Sequence, residues 1–391
     1  MPALYQQKTQ NLALNGRREA LDVLRGLAAL LIFYFHFTAL YPAGQVAEFA
    51  AWNHVVLNYF AMGVPLFYAL SGVSLYIGYF GRNSGPHFVA DFYIRRLFRI
   101  APLFYAAALA WFLIFYSRGA TPSFNKTAST LSFLFNLMPG YHESLVAAGW
   151  SVGVEILFYA VFPIVIAIAV SVRSSLVFLL IMCAVAIVSH KYLLAAFPGS
   201  TYSGLSVLVH GQFFVCGILT YFLAGRWLYM RPHFGKAAKL MPLVTTISVF
   251  ITSSMIVSNQ FAASAIGRDP STARIVWVLP IMLLIFTACI IRPSQRWLTP
   301  FVKLGEWSFS LYLLHPLVLY FVFEPLRKIQ IDGSPTPQNF LQHLITCLVI
   351  LIVVSAVTYR WIEKPSIDLG RRLALRAKTL GATVTLEVTK D

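Results

Sequence analysis

Residues 21–36 read LDVLRGLAALLIFYFH, and this stretch decides the fold because it is apolar enough to cross a membrane. It also carries Asp22, Arg25 and His36. At 100° per residue, Arg25 and His36 are three turns plus about 20° apart, so both side chains lie on one helix face, about 16 Å apart along the axis. A charge at the centre of a spanning helix costs about 2.5–3.5 kcal/mol, so a function is expected to justify this stripe.

The composition of the whole chain is typical of a polytopic membrane protein. Of its 391 residues, 58% are hydrophobic and 11% are charged, whereas soluble domains carry about 25% charged residues. Runs of about 20 apolar residues predict an all-α bundle of about ten spanning helices. The predicted helices cover roughly residues 21–41, 56–80, 101–117, 150–170, 174–195, 204–224, 241–258, 274–291, 303–323 and 340–361.

The formal net charge of +16 predicts the topology of this bundle. With the N-terminus placed in the cytoplasm, 22 of the 30 Lys and Arg residues lie on the cytoplasmic side, 7 lie on the other, and Arg25 lies within the first helix. Because cytoplasmic loops retain Lys and Arg, both termini are predicted to be cytoplasmic. The predicted divisions are a cytoplasmic segment at 1–18, the transmembrane domain at 19–366 and a cytoplasmic tail at 367–391, in the cytoplasmic (inner) membrane.

Composition also indicates which partners to expect. The basic residues are scattered over short loops, so membrane lipid is an expected partner and nucleic acid is not. The four cysteines lie in apolar runs without a CxxC motif or a histidine at metal-ligand spacing. We therefore expect neither a disulfide framework nor a metal site.

Three ionisable residues from three predicted helices converge at similar depth. From the rise per residue, His36 and Glu155 each lie about 22 Å from the inner boundary of the membrane core, and His315 lies about 16 Å from it. If the three residues had no common role, we would expect them at different depths in the membrane. The sequence therefore predicts that the first, fourth and ninth helices share a polar site in the outer half of the membrane.

Two polar helix faces extend this predicted site. Their members, which recur at helical spacing, are Ser151, Glu155 and Tyr159 in the fourth helix and Ser308, Tyr312 and His315 in the ninth. Packing roles remain open: Trp150 as an interface aromatic, Glu155 as a paired buried acid, and the ninth helix as a hydrogen-bonded seam. Intramembrane carboxylates mark functional sites by default, so we predict a function for Glu155.

A basic segment, FYIRRLFRIAP at residues 92–102, is predicted to be an inner loop before the third helix. Arg95, Arg96 and Arg99 occupy positions i, i+1 and i+4. They suit either snorkelling anchors that hold the loop at the cytoplasmic surface or a clamp for phosphate groups. Arg25, low in the first helix, faces the same side.

A histidine and a carboxylate at one depth are suited to removing a proton from a hydroxyl group. We predict that His36 acts as general base and that Glu155 orients its ring and stabilises its cation. Asp22 and Arg25 would position a phosphorylated acyl donor on the opposite side. Transfer through an acyl-histidine remains an alternative to direct transfer.

These residues, in this order, resemble acyltransferase family 3 of membrane acyltransferases. The resemblance covers about residues 18–366. The matching segments are Arg25 to His36, VPLFYALSG at 64–72 with Ser71, RRLFRIAP at 95–102, WS at 150–151 with Glu155 and FY at 158–159, Ser308 to His315, and IEKP at 362–365. The chain departs from the family pattern with Ala20 in place of Ser and Phe309 in place of Tyr.

The resemblance implies an enzyme that moves an acyl group, most often acetyl, from cytoplasmic acyl-CoA to a hydroxyl of an extracytoplasmic or lipid-linked saccharide. Acyl-CoA would be a co-substrate, with no permanently bound cofactor. The resemblance also implies that His36 and Arg25 are essential and that Arg95, Arg96 and Arg99 serve the CoA side. The expected acceptor side is lined by Ser71, Trp150, Ser151, Tyr159, Ser308, Tyr312 and His315.

Two other classes of protein fit the buried polar residues. A proton-coupled transporter uses buried His, Glu and Arg as well, but it is expected to show inverted repeats with broken helices, and no such pairing is evident in this sequence. In a membrane scaffold the same residues would be packing pairs. A scaffold predicts that His36→Ala folds and leaves the phenotype intact.

Overall fold

The computed structural model describes residues 18–41, 56, 60–81, 87–230, 246–247, 274–290, 298–329 and 336–388, with side chains through 376 at the carboxyl end. These residues form helices and turns, and none of them lies in a β-strand. Within this part, eight helices are long and apolar enough to cross a membrane. The all-α polytopic fold class predicted from the sequence is confirmed.

The helices of the bundle are labelled in chain order. They are α1 Arg18–Leu40, α2 Gly63–Tyr79, α3 Phe88–Ser117, α4 Trp150–Ile168, α5 Val172–Ala196, α6 Gly211–Met230, α7 Val278–Ile290, α8 Thr299–Glu306, α9 Ser308–Val318, α10 Pro337–Thr358 and α11 Lys364–Val388. A π-helical segment, Leu319–Phe323, continues α9 into the helix Glu324–Ile329, and another, Tyr359–Glu363, joins α10 to α11.

Eight of the ten predicted spans are confirmed as helices of spanning length. The span predicted at 274–291 is a shorter apolar helix, Arg274–Ile290. The span predicted at 241–258 lies outside the described residues, apart from Thr246 and Ile247. The tight connection between the fourth and fifth spans is present, and Ser171 caps α5 by accepting a hydrogen bond from the backbone N–H of Ser174 at 3.1 Å.

The prediction that residues 92–102 form an inner loop is wrong, because this segment lies inside α3. Two local causes extend the helix towards its N-terminus. Asp91 and Arg95 form an ion pair of 2.8 Å at i, i+4 spacing on the helix surface. The extension also packs against α11, where Gly370 lies so close to Phe98 that an added Cβ would be 2.6 Å from the Phe98 Cβ. The arginines are therefore held on a packed helix.

The segment predicted as a tail from residue 367 is helical through Val388. Pro365 does not end the helix, although it has no N–H and lies within a helical run that continues from α10. The preceding π-helical turn at residues 359–363 accommodates the change in hydrogen bonding. The carboxyl-terminal helix thus continues directly from the last span.

Small residues allow the backbones of the central helices to touch. On the α2–α6 crossing, a Cβ added to Gly217 would lie 2.0 Å from the carbonyl oxygen of Ala69. On the α1–α8 crossing, a Cβ added to Gly305 would lie 1.9 Å from the carbonyl oxygen of Asp22. The second contact fixes the height of α1 in the bundle and, with it, the positions of Asp22 and His36.

Burial separates the central from the peripheral helices. The most apolar windows of the spans containing α2 and α6 are each 67% buried, whereas that of α5 is 17% buried. α5 therefore lies at the edge of the bundle, where its apolar side chains are suited to face lipid. The polar residues of the site lie on helices nearer the centre.

Candidate functional site

The packing of α1 against α9 brings His36 and His315 together. His36 Nδ1 lies 3.2 Å from His315 Nε2, and the ring centroids are 4.8 Å apart. His36 Nδ1 also lies 2.9 Å from the carbonyl oxygen of Ile32. A carbonyl oxygen can only accept, so this nitrogen carries the proton and Nε2 is the unprotonated nitrogen. The half-buried His36 therefore presents a basic nitrogen that has no partner among the described residues.

Tyr312 links this histidine pair to the start of α4. Its hydroxyl donates to the carbonyl oxygen of Ala148 at 2.7 Å and accepts from Ser151 Oγ at 2.6 Å. Tyr68 of α2 adds a hydrogen bond of 3.3 Å to the carbonyl oxygen of Ser151. The structure therefore brings the predicted residues Ser151, Tyr312 and His315 together. We call the residues His36, His315, Tyr312 and Ser151 the histidine end of the site.

Glu155 lies one turn further along α4, in a cluster of hydroxyl groups. Ser71 of α2 donates to Glu155 Oε1 at 3.1 Å, and the Tyr159 hydroxyl donates to the same carboxylate. The hydroxyls of Ser71 and Tyr159 are 2.9 Å apart. Within the described part, Glu155 has no hydrogen bond to His36, although it interacts electrostatically with Tyr312. Its action on the His36 ring stays a prediction, and the direct partner of that ring is His315.

Charged groups gather near the other end of α1. Arg25 pairs with Asp22 and also donates to Ser74 of α2. The Arg25 and Asp22 side chains are 18% and 25% exposed, so the pair is largely shielded from solvent. Arg25 also interacts electrostatically with Arg99 of α3. The partly buried Arg25 and the exposed Arg99 thus lie near enough for their charges to interact, an arrangement suited to an anion.

The other predicted clamp arginines point elsewhere. Arg95 is paired with Asp91, as described above. The guanidinium carbon of Arg96 lies 5.4–5.8 Å from the centroids of three aromatic rings, those of Tyr79, Phe92 and Tyr159. Arg96 therefore faces the Glu155 cluster, with which it interacts electrostatically. Of the three arginines predicted to form the clamp, Arg99 is the one that joins Arg25.

The sequence analysis missed Glu363 as a site residue. It is 3% exposed, accepts a hydrogen bond from Ser310 of α9 and interacts electrostatically with Arg99. The available signal was an acidic residue directly after an apolar span, within the IEKP segment at 362–365. We call Asp22, Arg25, Arg99 and Glu363 the arginine end of the site.

Two predicted lining residues lie at the margin of these groups. The Trp150 ring lies 5.3 Å from the ring of His210, at the start of α4. Ser308 is buried at the start of α9 and has no hydrogen bond to the other predicted site residues in the part of the chain that is described. The neighbouring Ser310, which was not predicted, instead makes the contact with Glu363.

The segment between α3 and α4 holds Ala148, and with it the hydroxyl of Tyr312, in place. The Thr201 hydroxyl donates to Glu143 at 2.7 Å and accepts from His142 Nε2 at 2.8 Å. Burial lowers the pKa of His142, which favours the neutral ring that this contact uses. The three side chains tie the segment to the residues that precede α6.

Comparison with known proteins identifies the family of this chain. The acyltransferase domain of acyltransferase family 3 matches residues 18–360. A protein of Komagataeibacter xylinus named as a membrane-bound transacylase is 24% identical over 385 residues, covering 94% of this chain and 88% of the relative. A protein of Bacillus subtilis named as a peptidoglycan O-acetyltransferase is 22% identical over 374 residues, covering 88% of this chain and 54% of the relative. The chain thus spans about half the length of the Bacillus protein, and no solved structure matches it significantly.

Proposed function

The chain belongs to acyltransferase family 3 and is a multi-pass membrane acyltransferase, and on that premise we propose its donor and acceptor. The donor is cytoplasmic acyl-CoA, most often acetyl-CoA, and the acceptor is a hydroxyl of an extracytoplasmic or lipid-linked saccharide. The name of the Bacillus relative supports both the acetyl group and the saccharide acceptor. The observation that carries the proposal is the half-buried ring of His36, whose Nδ1 contacts the carbonyl oxygen of Ile32 and whose Nε2 has no partner among the described residues.

In the proposed reaction His36 is the general base. Its Nε2 removes the proton from the acceptor hydroxyl as the oxygen attacks the thioester carbonyl carbon. The bond from that carbon to sulfur then breaks, and CoA leaves as a thiolate. The thiolate takes from His36 the proton that came from the acceptor hydroxyl. The products are the O-acyl saccharide and free CoA thiol, so the histidine returns to its starting state.

The arginine end is proposed to hold the phosphates of the donor. Arg25 and Arg99 supply two positive charges, and Asp22 and Glu363 fix their positions. Arg25 and His36 are eleven residues apart on α1, or about 16 Å along the axis. That separation suits an extended pantetheine arm that runs from the phosphates to the thioester. Acyl-CoA then lies along α1 with its reacting carbon beside His36.

The acceptor is proposed to approach from the histidine end. Trp150 offers an aromatic face on which a sugar ring can stack, and the hydroxyls of Ser151 and Tyr312 offer hydrogen-bonding groups. The excess of 22 to 7 basic residues supports a position of the arginine end on the cytoplasmic side, and the inner membrane is the proposed location. Membership in an enzyme family supports this reading over the transporter and scaffold alternatives.

The proposal is tested with purified protein in lipid nanodiscs. Acetyl-CoA is supplied with free or lipid-linked saccharides, and thiol release is followed together with the mass of the saccharide product. Wild type is expected to release CoA thiol and to add one acetyl mass. The absence of thiol release and of acetyl-CoA binding by folded protein would overturn the proposed donor.

A further inference from the structure

A proline sets the protonation pattern of His315. In a regular helix the carbonyl oxygen of Tyr312 accepts from the N–H four residues later, but that residue is Pro316, which has no N–H. His315 Nδ1 lies 2.5 Å from this carbonyl oxygen. Since the carbonyl can only accept, His315 carries its proton on Nδ1 and leaves Nε2 as an acceptor.

The unprotonated Nε2 of His315 faces the protonated Nδ1 of His36 at 3.2 Å. The hydrogen bonds therefore run in one direction. The Nδ1–H of His36 is shared between the carbonyl oxygen of Ile32 at 2.9 Å and His315 Nε2, and the Nδ1–H of His315 donates to the carbonyl oxygen of Tyr312. Nε2 of His36 lies at the free end of this series of hydrogen bonds. The unprotonated Nε2 of His315 thus favours the His36 tautomer that the proposed base requires.

The surroundings offer no carboxylate for a positively charged His36. Among the described residues, the electrostatic partner of His315 is His36, and no acidic group acts on either ring. The other rings nearby are Phe35, with its centroid 5.1 Å from that of His36, and Tyr312, with its centroid 5.6 Å from that of His315. Glu155 is occupied by Ser71 and Tyr159.

We propose that His315 is the positioning residue of the acyl transfer. Together with the carbonyl oxygen of Ile32, it holds His36 in the tautomer protonated on Nδ1, and it stabilises the positive charge that His36 acquires when it removes the acceptor proton. In that state the Nδ1–H of His36 becomes a charge-assisted donor to His315 Nε2, a stronger bond than the neutral one it replaces. The inference rests on the proposed function of His36 as base. It gives His315 the role on the His36 ring that was predicted for Glu155 from the sequence.

Two substitutions separate this role from simple packing. His315→Phe keeps a ring of similar size without an acceptor, whereas His315→Gln keeps an acceptor near the position of Nε2. The proposal predicts that the Phe variant loses about 10- to 100-fold in kcat with unchanged KM for acyl-CoA, the range for one hydrogen bond to a charged group. The Gln variant is expected to retain several-fold more activity than the Phe variant.

A packing role predicts the reverse order, with Phe better than Gln, and that order would overturn the proposal. His343→Phe is the matched control, because His343 is 3% exposed in α10 and its Nδ1 has no partner among the described residues. It is expected to keep wild-type kcat. Melting temperatures of all variants in detergent identify any that fail to fold.

Pro316→Ala tests the origin of the tautomer. The restored N–H competes for the carbonyl oxygen of Tyr312, so kcat is expected to fall by about 2- to 10-fold, less than in His315→Phe. If wild type shows no acyl transfer, the proposed function fails, yet the tautomers remain measurable. Solid-state 15N NMR of histidine-labelled protein should show His36 and His315 as neutral rings protonated on Nδ1. Protonation on Nε2 of His36 would contradict the inference.

Discussion

The two ends of the site differ in the kind of interaction that holds them together. At the histidine end, His36, His315 and Tyr312 are joined by hydrogen bonds between neutral groups. At the arginine end, charged groups interact: Arg25 is paired with Asp22, and Arg99 interacts electrostatically with Arg25 and Glu363. A neutral imidazole can accept a proton near physiological pH, whereas a guanidinium keeps its charge. Under the proposed function, proton transfer and anion binding therefore belong to opposite ends of α1.

The largest effect is expected from His36→Ala. Removal of a general base typically lowers the rate by about 10²- to 10⁴-fold, so acetyl transfer should fall by that factor in kcat. Steady-state thiol release with saturating acetyl-CoA measures the change, and the melting temperature confirms folding. Transfer at the wild-type rate in this variant would remove His36 from the mechanism and erase the contrast between the two ends.

Arg25→Gln should produce the next largest effect, on the KM for acetyl-CoA instead of on kcat. The variant keeps a hydrogen-bonding side chain but loses the charge, so KM for acetyl-CoA is expected to rise by about 10- to 100-fold while kcat stays within a few-fold. Arg173→Gln, at an exposed position in the first turn of α5, is the matched control and should leave KM unchanged. A fall in kcat alone would place Arg25 in the chemistry instead of in donor binding.

Tyr312→Phe tests how firmly the histidine end is attached to α4. The substitution leaves the carbonyl oxygen of Ala148 without its donor, so the free energy of unfolding should fall by about 1–3 kcal/mol. Tyr229→Phe, at a residue that is 56% exposed, is the control and should have little effect. Thermal unfolding in detergent compares the two. Equal stability would show that the Tyr312 hydroxyl does not hold α9 against α4.

The smallest effect on donor binding is expected from Arg96→Met. Because Arg96 lies over aromatic rings and faces the Glu155 cluster, KM for acetyl-CoA should change by less than about threefold. The lost cation–π contacts should lower stability by about 0.5–2 kcal/mol. Isothermal titration with acetyl-CoA measures the affinity. A loss as large as that of Arg25→Gln would extend the arginine end to Arg96.

The sequence predicted the fold well where hydrophobic runs carry the information. The shared face of Ser151, Glu155 and Tyr159 was also predictable, because helical spacing alone fixes which residues of one helix lie together. The start of α3 was not predictable in this way. It depends on packing against α11, a helix that is remote in sequence. The charged composition of residues 92–102 does not reveal this packing.

Helical spacing could not predict the partner of His36 either, because that contact is made between two helices. Depth estimates placed Glu155 beside His36 and His315 lower, but the height of α1 is set by its contact with Gly305 of α8. That contact aligns His36 with His315 and leaves Glu155 to the hydroxyls of α2 and α4. The sequence shows that Pro316 follows His315. It does not show that the carbonyl oxygen of Tyr312, which Pro316 leaves without a helical donor, accepts from His315.

The most direct test of the division between the two ends is the affinity of His36→Ala for acetyl-CoA, measured by equilibrium binding in nanodiscs. If proton transfer belongs to the histidine end and donor binding to the arginine end, the variant should bind acetyl-CoA with the wild-type Kd although it no longer transfers the acetyl group. A folded variant that has lost both binding and transfer would contradict the division.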